Sequence, residues 1–346
     1  MREYESGRYR TNGGKGVSNF SEEEDELQHK PKLLAVGRSY ADVVFAINGN
    51  GMPSGDDKNV CYDYAVSYIG GNATTAAAFC ARHGCAVDLI AQQATDRTGR
   101  SCRDALTELG VNIVGGSIEK SAVSIVPTEG DKRAMVRCRA RGCHDNEEWI
   151  DFPHLDISQY NALHGCGHYP NVMLFYAKGC REAGILTSLD GGSLRDNTYE
   201  VLNYIDVAIV SDRMRKQLGF SIAEMLIFLR SKGCKVGGIT LGSEGMYWFE
   251  GKGDIQHLPA LDVPEEVIVD GTGCGDFFHG GYLYSYLTRP CAGWREHFRF
   301  ARRAAAHKLL TRGNEQCLLA STAHDIVNVT NRFASRSERP LLTAVA

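Results

Sequence analysis

Beyond Lys32 the chain switches repeatedly between two hydrophobic periodicities. Short unbroken apolar runs, among them "KLLAV", "AVDLIA", "NALHGCGH", "ILTSLDGG", "VAIVSDR" and "VGGITLGS", have strand length and close on glycine or polar residues. Between them, "GGNATTAAAFCARHG", "NVMLFYAKGCREAG" and "SIAEMLIFLRSKG" read as helices, the first opening on two glycines and closing at Gly84. The stretch "CAVDLIAQQATDRTGRSCRDALTELGV" reads as strand, loop, glycine-stopped helix and next strand. Strands that are apolar on both faces and alternate with helices predict a mostly parallel sheet covered on each side, a three-layer α/β/α architecture. Ligands bind such sheets beyond the carboxyl ends of the strands, so the polar tails of these runs are where chemistry belongs.

Two segments depart from this rhythm. Residues 43–69 and 118–143 alternate polar with apolar, and "SAVSIVPTEGDKRAMVRCRA" turns at Glu129-Gly130-Asp131. They predict a small antiparallel β lid grafted on the sheet. Residues 1–31 carry no periodicity and predict a disordered leader, its Glu22–Glu26 run simply solvating; 32–330 form the folded domain and 331–346 a weakly patterned tail.

Composition narrows the function. The 346 residues are 43% hydrophobic with a net charge of −4, enough for one large core and no electrostatic argument for nucleic acid or a membrane surface. No apolar stretch reaches membrane-spanning length and the polar N-terminus lacks a signal-peptide core, so a cytoplasmic protein is expected. Twelve cysteines include no C-x-x-C pair and are read as free, mostly buried thiols.

The chemistry concentrates in "DGTGCGDFFHGG", Asp270 to Gly281. A G-x-G-x-x-G dinucleotide loop would need glycine at Asp276 or Phe278, and calcium-loop spacings are absent or present once, so those readings fail. A plain glycine turn is the bland alternative. A phosphate cradle fits better: glycines 273 and 275 let successive backbone N–H groups, including that of Cys274, face one concavity at the start of the apolar helix "DFFHGGYLYSYL". Such an anion hole stabilises the charge that develops on a migrating phosphoryl group, and Asp276 beside it suits a general base.

"VDGTGCGDFFHGGYL" resembles the C-terminal signature of the ribokinase/PfkB-type carbohydrate kinases, D-T-x-G-A-G-D-x-F-x-x-G. In the same order, "VGRSYAD", "GGNATTAA", "TDRTG", "ITLGSEGMYWF" and "AAAHKLLTRGNE" are similar to other family segments, over about residues 32 to 325. The "TEG" hairpin, "LDG" and "GDFFHG" are most similar to the sulfofructose kinases of the family. The resemblance implies a ribokinase-like fold, ATP-dependent phosphorylation of a sugar hydroxyl, Mg²⁺, a monovalent cation such as K⁺, and a homodimer. It implies Asp276 as base and Gly273, Cys274 and Gly275 as anion hole. Asp42, Gly70, Gly71, Asn72 and His168 would lie beside the sugar, with Ser211, Thr240, Gly242, Gly245 and Gly313 beside ATP.

The sequence departs from the family in three places. Gly271 replaces Thr or Ser and Cys274 replaces Ala, without loss of a backbone donor. Where the family has N-x-x-E, "VSDRMRKQLG" offers Ser211 and Met214, leaving Asp190 and Asp212 as carboxylates to hold Mg²⁺ through water. His164, Cys166 and His168 have the spacing of a soft-metal trio, but a sugar contact by His168 is the better reading. Arg137, Arg139 and Arg141 alternate on the lid, either as a solvated edge or as a clamp, through Arg137 first, for an anionic sugar. A nucleoside kinase on the same fold and a sugar-binding regulator with little turnover remain the rival readings.

Overall fold

A computed structural model describes residues 30–47, 61–129, 132–143 and 148–333. The expected leader and tail lie outside these residues, apart from their edges.

The central sheet has nine strands: β1 (Lys32–Val36), β4 (Ala86–Ile90), β6 (Val111–Val114), β11 (Ala162–Gly165), β12 (Leu186–Gly191), β13 (Val207–Ser211), β14 (Val236–Thr240), β15 (Met246–Glu250) and β16 (Gln256–Leu258). Their order is β16-β15-β14-β13-β12-β11-β1-β4-β6. All neighbours from β14 to β6 are parallel, and β15 and β16 close one edge antiparallel. The apolar runs are unbroken because both faces are buried. Leu33 and Ala35 face one core with helices α1 (Asn72–Arg82), α6 (Cys274–Thr288) and α7 (Trp294–Lys308). Leu34 and Val36 face the other with α3 (Pro170–Glu182) and α5 (Ile222–Ser231). The three-layer expectation is met. From β1 in mid-sheet the chain builds outward to β6, then returns to β11 on the other flank of β1. That reversal opens a crevice at the carboxyl ends of β1 and β11.

The lid is a second sheet of β2 (Tyr40–Ile47), β3 (Cys61–Gly70), β8 (Val123–Glu129), β9 (Lys132–Arg133) and β10 (Val136–Cys138), ordered β10-β8-β2-β3 with β9 on β8; β5 (Gln93–Ala94) and β7 (Ser117–Ile118) pair separately. One expectation needs correction: the lid is mixed, not antiparallel. β2 pairs β3 antiparallel but β8 parallel. The stretch from β3 to β8 contains α1, β4, α2 (Arg97–Glu108) and β6, a crossover long enough to return β8 in the direction of β2. The lid also starts earlier than residue 43, at Tyr40. Glu129 and Lys132 pair on either side of the expected hairpin turn, whose Gly130 and Asp131 lie outside the described residues.

The "TDRTG" segment ties lid to sheet. Asp96 caps α2 by accepting from the Gly99 N–H at 2.8 Å, and the same carboxylate accepts the Ser121 N–H at 3.0 Å and hydroxyl at 2.6 Å. Beyond residue 330, the helix Ala323–Arg332 continues to its end and buried Phe333 packs beside Val329, so the folded unit extends slightly past the expected boundary.

Candidate active site

The strand-end tails converge as a parallel sheet requires. After β1, the turn Gly37–Ser39 is held by the Thr74 hydroxyl, which donates to the Arg38 carbonyl at 2.6 Å. This brings α1 so close that a Cβ on Gly71 (φ +105°) would sit 2.0 Å from the Arg38 oxygen; glycine is obligatory there. A Cβ on Gly70 would lie 2.8 Å from Asp42 Oδ2, so the buried Asp42 carboxylate rests directly on that glycine. Asn72, first in α1, donates Nδ2 to Asp190 Oδ2 at 3.0 Å, across 118 residues. Asp42, Gly70, Gly71 and Asn72 therefore gather on one side, as expected.

Opposite them stands the glycine turn. Gly273 (φ +82°) precedes the first residue of α6, and a Cβ there would lie 2.0 Å from Asn314 Oδ1. No side-chain hydrogen bond from Gly273 caps α6, Gly275 is exposed, and nothing lies within 4 Å of a Cβ placed on it. Asp276 is partly exposed in the first turn of α6. The carboxylates meet electrostatically at Tyr40. Burial pushes its phenol up, the Asp42 and Asp276 charges push further, and Arg137 opposes them. The Arg137 guanidinium stacks 5.0 Å from the Tyr40 ring centre and donates to its hydroxyl at 3.2 Å.

The arginine stripe is otherwise corrected. β10 ends at Cys138, so Arg139 and Arg141 do not continue its face; both are exposed, and the Arg141 backbone bridges Lys120. Of the three, Arg137, itself on an exposed strand, is the one seen to reach Tyr40. His168 is buried and accepts from Arg195 Nη2 at 2.8 Å, while Arg195 Nε donates to the Cys166 carbonyl at 3.2 Å. His164 points elsewhere, its Nδ1 3.0 Å from the Ser188 hydroxyl. The His164–Cys166–His168 spacing thus forms no trio, because β11 stops at Gly165; among the described residues no His, Cys, Asp and Glu cluster is placed for a metal.

Mg²⁺ finds no ready carboxylate pair at Asp190 and Asp212. Asp190 is buried, accepts the Asn72 amide, and faces His279 Nε2 at 3.5 Å. Burial pushes His164 and His279 down to about 3, with mutual repulsion adding to His164, so both imidazoles are neutral and the His279 contact is no ion pair. Burial raises Asp190. Asp212 spends its two oxygens on Arg215 and Lys216 of its own helix, each at 2.7 Å. Both carboxylates are already engaged, and the expected metal assignment does not fit them.

Of the residues expected beside ATP, Thr240 ends β14 and donates to the Val210 carbonyl at 3.4 Å. Gly242 and Gly245 make the turn into β15, closed by the Gly245 N–H on the Gly242 carbonyl at 3.0 Å. Ser211 instead caps the helix α4 (Asp212–Leu218), accepting from Met214 N–H and donating to the Gly192 carbonyl at 2.9 Å. It splices two strand ends, and Met214 is core. Gly313 donates its N–H to Asp270 Oδ2 at 3.0 Å at the start of α8 (Asn314–Ala320).

Three features escaped sequence reasoning. The start of α8 is laced to the lid: Asn314 Nδ2 donates to Ile69 O, the Glu315 N–H to Ser67 Oγ, Gln316 Nε2 to Val66 O, and the Tyr68 N–H to Glu315 Oε2. Tyr282, linked to Ser188 at 2.6 Å and His279 at 3.0 Å, joins the two histidines beneath Asp190. Arg195 was findable as a cation five residues past Asp190, in "LDGGSLR".

A three-layer, mostly parallel sheet with a β lid and a glycine turn opening a helix at the strand ends is the architecture of a class of α/β phosphotransferases. Residues 31–320 match the pfkB family carbohydrate kinase pattern, and the chain belongs to that family. It is 27% identical over 117 residues to the ribokinase of Lactococcus lactis, spanning 34% of this chain and 36% of that enzyme. It is 30% identical over 94 residues to the cytidine kinase of Thermococcus kodakarensis, spanning 27% of this chain and 33% of that enzyme. The chain thus spans about a third of the length of these curated relatives. The structure of Arabidopsis thaliana ribokinase complexed with ribose and ATP superposes with a TM-score of 0.70 at 18% identity, covering 87% of this chain and 99% of that one. That likeness is one of fold.

Proposed function

We propose that this chain is an ATP-dependent sugar kinase. The observation that carries the reading is the match of residues 31–320 to the pfkB family carbohydrate kinases, supported by the Asp42 carboxylate resting on Gly70 and the Arg137 guanidinium stacked on Tyr40. A sugar seated on Asp42, Gly70, Gly71 and Asn72 would then present a hydroxyl to Asp276 at the mouth of α6. The carboxylate takes the hydroxyl proton as the oxygen forms its bond to the γ-phosphorus and the bond to ADP breaks. The N–H groups of Gly273, Cys274 and Gly275 hold the developing charge. Thr240, Gly242, Gly245 and Gly313 border the nucleotide. Mg²⁺ would supply charge neutralisation on the phosphates when bound, and Asp190 and Asp212 are engaged by other side chains.

Exposed Tyr64, Ile125, Met135 and Val136 on the lid favour a homodimer formed through that sheet, to be checked by light scattering. No helix among the described residues is long and apolar enough to cross a membrane, and the ATP-using reading implies a cytoplasmic enzyme. The likeness to a cytidine kinase favours a nucleoside acceptor as second reading. The test is ADP release from ATP across a panel of neutral sugars, anionic sugars and nucleosides, with and without Mg²⁺. Turnover confined to nucleosides replaces the sugar reading; sugar binding without ADP release makes the protein a sensor.

A further inference from the structure

Lys308, the last residue of α7, is completely buried. Its Nζ lies 3.0 Å from Asp270 Oδ2, 2.9 Å from the Thr311 carbonyl and 3.4 Å from the Asp270 carbonyl. Three oxygens, one anionic, take the three N–H bonds of the ammonium. Burial alone would raise Asp270; the Lys308 charge and the N–H donors Gly313 and Thr272 reverse this and hold its carboxyl below the usual range.

The pair stands directly behind the anion hole. Asp270 Oδ1 accepts the Thr272 N–H at 2.8 Å and Oδ2 the Gly313 N–H at 3.0 Å. The Val269 and Asp270 N–H groups both donate to the Leu309 carbonyl, at 2.8 and 3.2 Å. One ammonium thus fastens the end of α7, the approach to Gly273 and the start of α8. The close packing of Gly273 on Asn314 is made between segments held in this way.

A carboxylate with inward-turned peptide carbonyls is also the donor set that replaces the water around a monovalent cation. The K⁺ that the family resemblance implies does not fit here, because Lys308 already takes those oxygens. We propose that Lys308 is a built-in cation, a positioning residue whose ammonium sets the glycine turn in the way a bound monovalent ion would, so that turnover is independent of K⁺. This rests on the kinase reading above. It also gives a buried ion pair, which is weak evidence for stability by itself, a positional purpose.

The experiment compares wild type with Lys308→Ala at constant ionic strength in tetramethylammonium, K⁺ and NH₄⁺ chlorides, reading kcat, KM for ATP and melting temperature. Wild type should show the same kcat in all three salts. Lys308→Ala should lose roughly tenfold or more of kcat in tetramethylammonium, and K⁺ or NH₄⁺ should restore most of it and raise the melting temperature selectively. Severalfold activation of wild type by K⁺ overturns the proposal, as does a folded Lys308→Ala that keeps full kcat or that no small cation improves. Should that variant not fold, the double substitution Lys308→Met with Asp270→Asn removes both charges. It should fold, turn over slowly and ignore K⁺, and wild-type kcat in it would equally sink the idea. If wild type transfers no phosphoryl group at all, the kinase reading fails, while the salt-specific melting shift still reports on Lys308.

Discussion

Asn72 and Asp190 meet at 3.0 Å although 118 residues separate them, joining the start of α1 to the carboxyl end of β12. Burial raises Asp190, and the Asn72 amide is foremost among the groups that oppose that rise. Asn72→Ala should leave Asp190 short of a donor and cost roughly 1–3 kcal/mol of stability. If Asn72 also touches the acceptor, as proposed, KM for the acceptor rises while KM for ATP stays within about twofold. Calorimetry of the ligand-free protein and separate KM measurements check both halves.

Asp276→Asn should fold normally, bind ATP as wild type does, and lose kcat by roughly 10²–10⁴, the range for a positioned general base. Single-turnover rates with the best acceptor measure it. Retention of turnover within a few-fold would place the base elsewhere.

The three lid arginines should no longer behave alike. Arg137→Gln removes the group stacked on Tyr40 and is expected to lower kcat/KM by roughly tenfold, more for an anionic sugar than for its neutral analogue. Arg139→Gln and Arg141→Gln should match wild type, because both side chains are exposed and neither continues the β10 face. Equal losses in all three would restore the stripe.

Stability should fall as acid reaches the histidines. His164 and His279 have folded-state values near 3, against 6.5 for the free side chain. A depressed imidazole binds its proton more readily in the unfolded chain, so the native state is favoured above about 6.5 and loses ground as pH drops towards 3. At pH 5 each imidazole should cost roughly 2 kcal/mol relative to pH 7. Denaturant melts at the two pH values test this, and His279→Gln should remove part of the slope. Asp88, Asp96 and Asp270, all held below their ordinary range, lose their contribution only at lower pH, which keeps the upper window for the histidines.

The sequence by itself determined the elements that depend on neighbours close along the chain. Burial on both faces makes a strand unbroken in hydrophobicity, as in β1 and β13, and a helix mouth after alternating glycines needs only local backbone freedom, as at Gly273. Layer architecture, lid segments and the placing of Asp276 in the first turn of α6 follow from such local rules. Tertiary structure decided what depends on which strands become neighbours. The parallel pairing of β2 with β8, the restriction of the arginine face to Arg137, and the bond from Ser211 to the Gly192 carbonyl all depend on elements far apart in sequence. So do Asn72 on Asp190 and Lys308 on Asp270. A side chain's charge and bonding role are set by the oxygens and nitrogens folded against it. Composition and spacing name the candidates, and only the packed sheet chooses among them.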